Sequence, residues 1–381
     1  MQNETRPDSG TGNVKGFYVH APFCDGKCFY CAFYSLPYES ELAKRYIRAL
    51  AVELKEYPPL NVETIYFGGG TPSLLSLSEL EILCNLIKKT ISVVSLSLKE
   101  WTVECNPRSL DAEKLALMAK AGVNRISLGA QSFDDSVLKW LGRRHNVADI
   151  YEAAQMIKSA GFDNFSLDLI ACIPGFKADV WRRTLDAAVA LEPKHVSVYA
   201  LTKEERTSLA KSVAQGQVML LTEDEEIEAL KTAADILADA DYQRYEISNY
   251  SKSGYECLHN LSCWRGEEYI GLGPAAASLV GLKRWTNLPD LEKYLAVLEG
   301  GEKPPRAMDV LDEKLRQIEK VVFGLRMSEG ISEATGKICE KTLRDLNNEG
   351  LVLNADGCWR LTERGFWLAD YVGAELLAEA S

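Results

Sequence analysis

The chain has 381 residues, 43 lysines and arginines against 55 aspartates and glutamates, and 46% hydrophobic side chains. That is the profile of a globular protein of two or three domains, not of a disordered or fibrous one. The formal net charge of −12 repels a polyanion, because nucleic-acid affinity rests chiefly on Lys and Arg displacing counterions from phosphates; DNA or RNA as the main partner is disfavoured.

Residues 1–12 are polar and lack the basic-then-apolar order of a secretory signal, so a cytoplasmic location with reduced cysteines is expected. Six short β-branched or aromatic runs follow: Phe17–His20, Thr64–Phe67, Trp101–Cys105, Arg125–Ala130, Phe165–Ala171 and Val196–Leu201. Each precedes an amphipathic stretch: Glu39–Tyr57, Ser78–Lys89, Asp111–Ala121, Val147–Ala160, Val180–Leu191 and Glu223–Ala240. The acidic run Glu223–Glu226 reads as a helix N-terminus, where negative charge complements the dipole. Such alternation predicts parallel strands with right-handed crossovers, hence an α/β fold; a partial (β/α)6 TIM-like barrel over 14–240 is favoured over a doubly wound sheet. The apolar run Ile91–Leu98 is broken by serines and falls short of the roughly 20 residues of a membrane helix, so no membrane span is expected.

Beyond the sixth unit, 241–300 reads as an extension: Glu246–Ser278 is rich in Tyr, Gly, Asn and Trp, a helical stretch runs to Glu299, and Gly300–Pro305 reads as a linker. In 306–381, Asp312–Met327 and Ser332–Asn348 read as helices and Leu351–Leu361 as a hairpin, before a last helix; the order is that of a winged helix. This segment carries 10 basic and 14 acidic residues, which favours a structural or protein-contact module over a DNA-binding one.

Unusual residues collect where the predicted strands end, the place where α/β folds put their chemistry. The first strand runs into Cys24, Cys28 and Cys31, the second into Gly68-Gly69-Gly70-Thr71, the third into Glu104 and the fourth into Gln131; the fifth carries Asp168, and the sixth ends near Tyr199 and Ala200. Seven other cysteines are scattered. Three thiolates from one loop are soft ligands for an iron–sulfur cluster or zinc, and three leave one position open. A zinc site completed by His20 or a distant cysteine is the alternative. Glycines 68–70 either let backbone groups approach a ligand or make a tight turn. Glu104 and Asp168 lie in apolar strands, so each needs hydroxyl or cationic partners, while Arg143 and Gln131 can clamp or bridge a polar ligand. A buried ion-pair network without a ligand is the other reading. His145 and His195 fit no metal-ligand spacing and read as surface or strand-end residues.

The x3, x2 cysteine spacing with Tyr30 before the last cysteine resembles the radical S-adenosylmethionine (SAM) superfamily. Tyr18-Val-His20-Ala-Pro22-Phe23-Cys24, Gly68–Ser73, Glu104-Cys-Asn106-Pro107, Gly122–Phe133 and Leu141-Gly142-Arg143 resemble the group that holds oxygen-independent coproporphyrinogen III oxidases and HemW-type heme chaperones. The resemblance implies a radical-SAM barrel with a [4Fe-4S] cluster on Cys24, Cys28 and Cys31, and SAM held by Tyr18, Gly69, Gly70, Thr71, Glu104, Gln131, Arg143, Asp168 and Ala200. In that superfamily the cluster reduces SAM to a 5′-deoxyadenosyl radical.

Within the group, the oxidases carry a fourth cysteine where this chain has Phe33 and a longer segment before the cluster; both differences resemble the chaperone branch. There a His-Asn-x-x-Tyr-Trp segment is associated with heme, and this chain reads His259-Asn260-Leu261-Ser262-Cys263-Trp264. His259 is thus the implied heme ligand, with Cys263 in place of the tyrosine. Without the resemblance, His259 reads as a hydrogen-bonded histidine in a packed extension and Cys263 as a buried small residue. Two departures lie near the expected ligand cavity: Ala277 stands where the branch has a histidine, and Ala171-Cys172 where it has Tyr-Gly. The implied function is a heme chaperone with a heme-acceptor protein and an electron donor such as flavodoxin or ferredoxin as partners. A radical-SAM enzyme of porphyrin metabolism acting on a tetrapyrrole, by coproporphyrinogen oxidation or methylation, is the alternative.

Overall fold

A computed structural model describes residues 14–91 and 98–379. Residues 1–12 and the interior of the Ile91–Leu98 run lie outside the described residues. Six parallel strands lie side by side in chain order: Gly16–Ala21, Thr64–Gly69, Glu100–Cys105, Arg125–Gln131, Phe165–Ala171 and His195–Ala200. They belong to a 12-stranded sheet whose order is linear and does not close on itself, so the barrel is partial. On one side Tyr269–Leu272 adds in parallel to the first strand, followed by antiparallel Ala277–Val280, Lys283–Asn287 and Arg306–Val310; on the other, Asn249–Ser251 pairs antiparallel with the sixth.

Strand periodicity explains the layering. Phe17, Val19, Ile65, Phe67, Trp101, Val103, Ile126, Leu128, Leu167 and Val196 are at most 1% exposed and make one core with the surrounding helices. The intervening positions are polar: Tyr18 and His20; Thr64 and Tyr66; Thr102 and Glu104; Arg125 and Ser127; Ser166 and Asp168; His195 and Ser197. A period of two puts these on the opposite, inner face of the barrel. The apolar faces drive the packing, at about 1.5–3 kcal/mol per large side chain buried. The polar interior is left free for chemistry. Helix starts are written locally: Ser76 with Glu79, Asn146 with Asp149 and Thr222 with Glu225 form capping boxes, each cap contributing about 1 kcal/mol.

The extension differs from its sequence reading. The stretch read as helical up to Glu299 begins with the hairpin Ala277–Val280 and Lys283–Asn287, and only Leu291–Glu299 is helix. Gly281, at φ 58°, makes the turn, and Trp285 and Thr286 favour strand. Strand Arg306–Val310 pairs with Lys283–Asn287, so the large sheet continues past Gly300–Pro305. A second core gathers Ile318, Val321, Leu325, Leu343, Leu346, Leu361 and Leu376 around a three-stranded antiparallel sheet in winged-helix order. The single helix expected over Ser332–Asn348 is broken into Glu333–Gly336, a 3-10 turn and Glu340–Asn348. Gly336 is pressed against the wing: a Cβ there would lie 2.8 Å from the Trp359 ring.

Candidate functional site

The cysteine loop leaves the first strand through the short parallel pair Phe23–Cys24 and Leu36–Pro37. His20 anchors it from below. Its Nδ1 lies 3.1 Å from the Tyr18 hydroxyl and its Nε2 2.8 Å from the Tyr34 carbonyl oxygen. Burial pushes its pKa down to about 4, so the ring is neutral, and with both nitrogens engaged within the protein it acts as a structural residue and offers no free nitrogen to the cysteine loop. Above it, Phe29 N–H donates to the Leu141 carbonyl, and the Phe29 ring packs edge-on against Trp140. Cys24, Cys28 and Cys31 are each half-buried free thiols. Among the described residues, no three His, Cys, Asp or Glu side chains converge tightly enough to hold a single metal ion.

The glycine run divides its labour. Gly69, at φ 98°, is in the left-handed region, and a Cβ on it would lie 2.4 Å from the His20 ring; one on Gly70 would meet the Phe23 carbonyl at 2.5 Å. Gly69 N–H donates to Glu104 Oε2 (3.1 Å), Gly70 N–H to the Ala21 carbonyl (2.9 Å) and Thr71 N–H to the Phe23 carbonyl (2.7 Å). These three amides therefore bind the protein itself. What remains for a ligand is carbonyl oxygen and the Thr71 hydroxyl, which lies 3.7 Å from Cys24 Sγ.

Around this rim the polar inner face supplies acceptors. Glu104 accepts from the Tyr66 hydroxyl (2.8 Å) as well as from Gly69. Desolvation pushes it up to about 7, aided by neighbouring Asp168 and opposed by those two hydrogen bonds and by Arg125. Asp168 accepts from Ser127 (2.9 Å), Ser197 (2.7 Å) and Ser166 (3.3 Å). The hydroxyl partners expected for these carboxylates are thus in place. Tyr18, Tyr66, Glu104, Asp168, Gly69, Gly70, Arg143 and Ala200 each keep accessible surface, while Val103, Leu167 and Phe67 beside them in the strands are fully buried. The rim residues line an open space.

Two orphaned groups mark that space. Arg143 donates to Cys28 Sγ (3.4 Å) and to the Gly129 carbonyl (3.3 Å), leaving its buried Nε without a partner. Gln131 sits at φ 63° after a β-bulge that shifts the register between Gly129 and Gln131, and its buried Oε1 is also unpartnered. A bulge and a left-handed residue at a strand end re-aim a side chain. A guanidinium beside a thiol, with an unmatched donor and acceptor next to it, fits a charged, polar ligand carrying a carboxylate and hydroxyls.

Other residues of the interior had no role assigned by the sequence reading. Arg125 is 2% exposed with Nε unpartnered and lies in the electrostatic reach of Glu104 and Asp168. Glu100 accepts from the N–H groups of Leu258 (2.9 Å) and His259 (3.1 Å), closing the barrel floor on a helix start. His195, which read as a strand-end residue, is fully buried between Ser166 (2.8 Å) and the Tyr245 hydroxyl (2.8 Å). His145 is buried too, 3.2 Å from the Ala130 carbonyl. The signal for Glu100, Arg125 and His195 was the polar period-two face of the barrel strands, whereas His145 lies in a connection between helices and had none.

His259 does not sit on an open wall. It lies on the barrel floor, 6% exposed, with Nδ1 2.9 Å from the Thr64 hydroxyl and its ring stacked 5.1 Å from Tyr66. Burial pushes its pKa down to about 4. Cys263, one turn on, is half-buried and lines a cavity, which the reading of a buried small residue did not anticipate.

Residues 18–188 match the family described as the radical SAM superfamily. The chain is 32% identical over 371 residues to the heme chaperone HemW of Lactococcus lactis, covering 95% of this chain and 97% of that one. It is 32% identical over 380 residues to HemW of Bacillus subtilis, covering 96% and 100%. Among solved structures, coproporphyrinogen III oxidase (HemN) of Escherichia coli, described as a radical SAM enzyme, superposes with a TM-score of 0.81 over 97% of this chain and 91% of that one, at 20% identity. That likeness establishes the fold. No helix among the described residues is long and apolar enough to cross a membrane.

Proposed function

The chain belongs to the HemW heme-chaperone family within the radical SAM superfamily, and on that premise we propose that it binds heme, a [4Fe-4S] cluster and SAM and hands heme to an acceptor protein. The observation that carries this reading is the reach of the similarity, which extends from the cysteine loop through the extension and the winged module over 95% of the chain.

The residues fit both implied groups. Cys24, Cys28 and Cys31 would hold three irons and leave the fourth to SAM; when bound, the cluster supplies one-electron reduction of SAM. Arg143, which donates to Cys28 Sγ, would offset the charge of a thiolate ligand there and keeps Nε for a carboxylate. Glu104 and Asp168, fixed by Tyr66 and three serines, would accept hydrogen bonds from ribose hydroxyls. Gln131 would complete the polar wall, with Tyr18, Gly69, Gly70, Thr71 and Ala200 around it. Phe29, packed edge-on against Trp140, would screen one side of the loop from water. Phe33, 69% exposed at its tip, supports a loop open to an electron donor of the flavodoxin or ferredoxin class. Ten free thiols suit the reducing cytoplasm.

The test is anaerobic purification of the full chain with iron, sulfide and zinc analysis, followed by titration with ferric heme. Iron with equimolar labile sulfide and saturable heme binding are expected. Zinc without sulfide would overturn the cluster, and a chain that takes up no heme would overturn the chaperone. Conversion of coproporphyrinogen III to protoporphyrinogen, with SAM and reductant, would replace it with an enzyme.

A further inference from the structure

A cavity of about 320 Å3 lies where the two ends of the open sheet approach one another. Tyr199 and Asn249 come from the sixth strand and its antiparallel neighbour, Tyr269 from the strand beside the first, Cys263 and Trp264 from the helix Leu258–Trp264, and Phe323 from the winged module. We infer that this cavity is the tetrapyrrole site and that the Cys263 sulfur, not the His259 imidazole, is the protein ligand to heme iron. The inference rests on the heme-chaperone reading and adds the place and the ligand.

Four aromatic side chains, with Trp264 and Phe323 6.2 Å apart, make walls suited to a flat apolar macrocycle, while Glu246, Ser248, Asn249, Asn260 and Arg284 supply the polar groups that orient it. Cys263 is a free thiol on that wall, and thiolate is an established axial ligand for heme iron. Asn249 is an independent sign of a ligand: it is 3% exposed, stands in the same wall, and its Oδ1 has no hydrogen-bond partner. A buried amide left half-satisfied at a cavity is completed by a ligand or ordered water. His259 is on none of this surface; its Nδ1 is committed to Thr64 and its ring to Tyr66. The volume is near the lower end of the range of about 300–1,000 Å3 for small-ligand pockets. It would grip one side of the macrocycle and leave the other side exposed for transfer. When the sulfur–iron bond forms, the thiol proton passes to water and the iron's axial water leaves. No redox partner is required.

Full-length protein loaded with ferric heme distinguishes the ligands by electron paramagnetic resonance and near-infrared magnetic circular dichroism. A thiolate signature is expected in wild type. It is lost in Cys263→Ala with affinity weakened about tenfold or more, replaced by a phenolate signature in Cys263→Tyr, and unchanged in His259→Ala. Unaltered iron–sulfur content in each variant reports intact folding. An imidazole signature that disappears in His259→Ala would overturn the inference and leave the heme-chaperone reading standing. So would heme binding indifferent to Cys263. Absence of heme binding by wild type would overturn both.

Discussion

Glu53 and Glu104 are carboxylates drawn away from bulk water in the same barrel, and their surroundings differ in kind. Glu53, at the end of the first long helix, is 0% exposed and accepts from Gly273 N–H (2.9 Å), Asn287 Nδ2 (2.7 Å), the Tyr294 hydroxyl (2.6 Å) and Arg306 Nη2 (3.4 Å). Its oxygens are saturated, one partner is a cation, and those partners stitch the extension to the barrel. Glu104 has a hydroxyl and one amide, no cation in contact, a second carboxylate nearby and open space before it. Satisfied polar burial builds structure, whereas unsatisfied polar burial waits for a ligand.

The contrast can be broken most sharply at Glu53. Glu53→Ala leaves Arg306 and Asn287 without their acceptor and should destabilise the chain by about 3–5 kcal/mol in denaturant unfolding, with SAM affinity of the folded fraction unchanged. A loss below about 1 kcal/mol would mean that the hub is ornamental. Glu104→Gln should do the reverse. SAM affinity falls about 10–100-fold, equivalent to about 1.4–2.7 kcal/mol, as measured by calorimetry on reconstituted protein, while the unfolding midpoint holds or rises.

A pH series sharpens the same comparison. Because Glu104 is raised from 4.5 to about 7, its folded state holds the proton more tightly than the unfolded one. Its contribution to stability is complete below about 4.5 and lost as pH rises through about 7. Unfolding of the SAM-free chain should show this loss, Glu104→Gln should flatten it, and Arg125→Met should move it to higher pH by removing the charge that opposes protonation. An unchanged profile in both variants would assign the titration elsewhere. The smallest effect is expected at Cys172, held at φ 63° at the end of the fifth strand. Cys172→Gly relieves a left-handed conformation worth about 1–2 kcal/mol but deletes a buried side chain, so its thermal midpoint should barely move.

The six barrel strands and their helices were readable because each carries its own period of two or 3.6, and the cysteine spacing was readable because it spans eight residues. The polar face of each strand was present as well, although Ser166 and His195 carry no motif, and Arg125 and Ser127, inside the Gly122–Phe133 segment, had no role assigned to them. The antiparallel arm over 277–310 was harder to read. Lys283–Asn287 becomes strand because Ala277–Val280 and Arg306–Val310 flank it, and Glu53 meets Asn287 across 234 positions.

By itself, then, the sequence determined the repeating strand–helix unit, the rim on which the chemistry gathers, and the three-thiol loop, since all of these depend on near neighbours and on which face a residue occupies. Only the tertiary structure decided which buried polar groups are satisfied, that the amides of 69–71 are spent on the protein, and that within one helical turn His259 faces the barrel floor while Cys263 faces a cavity. These outcomes depend on what packs opposite each group, and the partners come from segments too distant in the chain for any local pattern to specify.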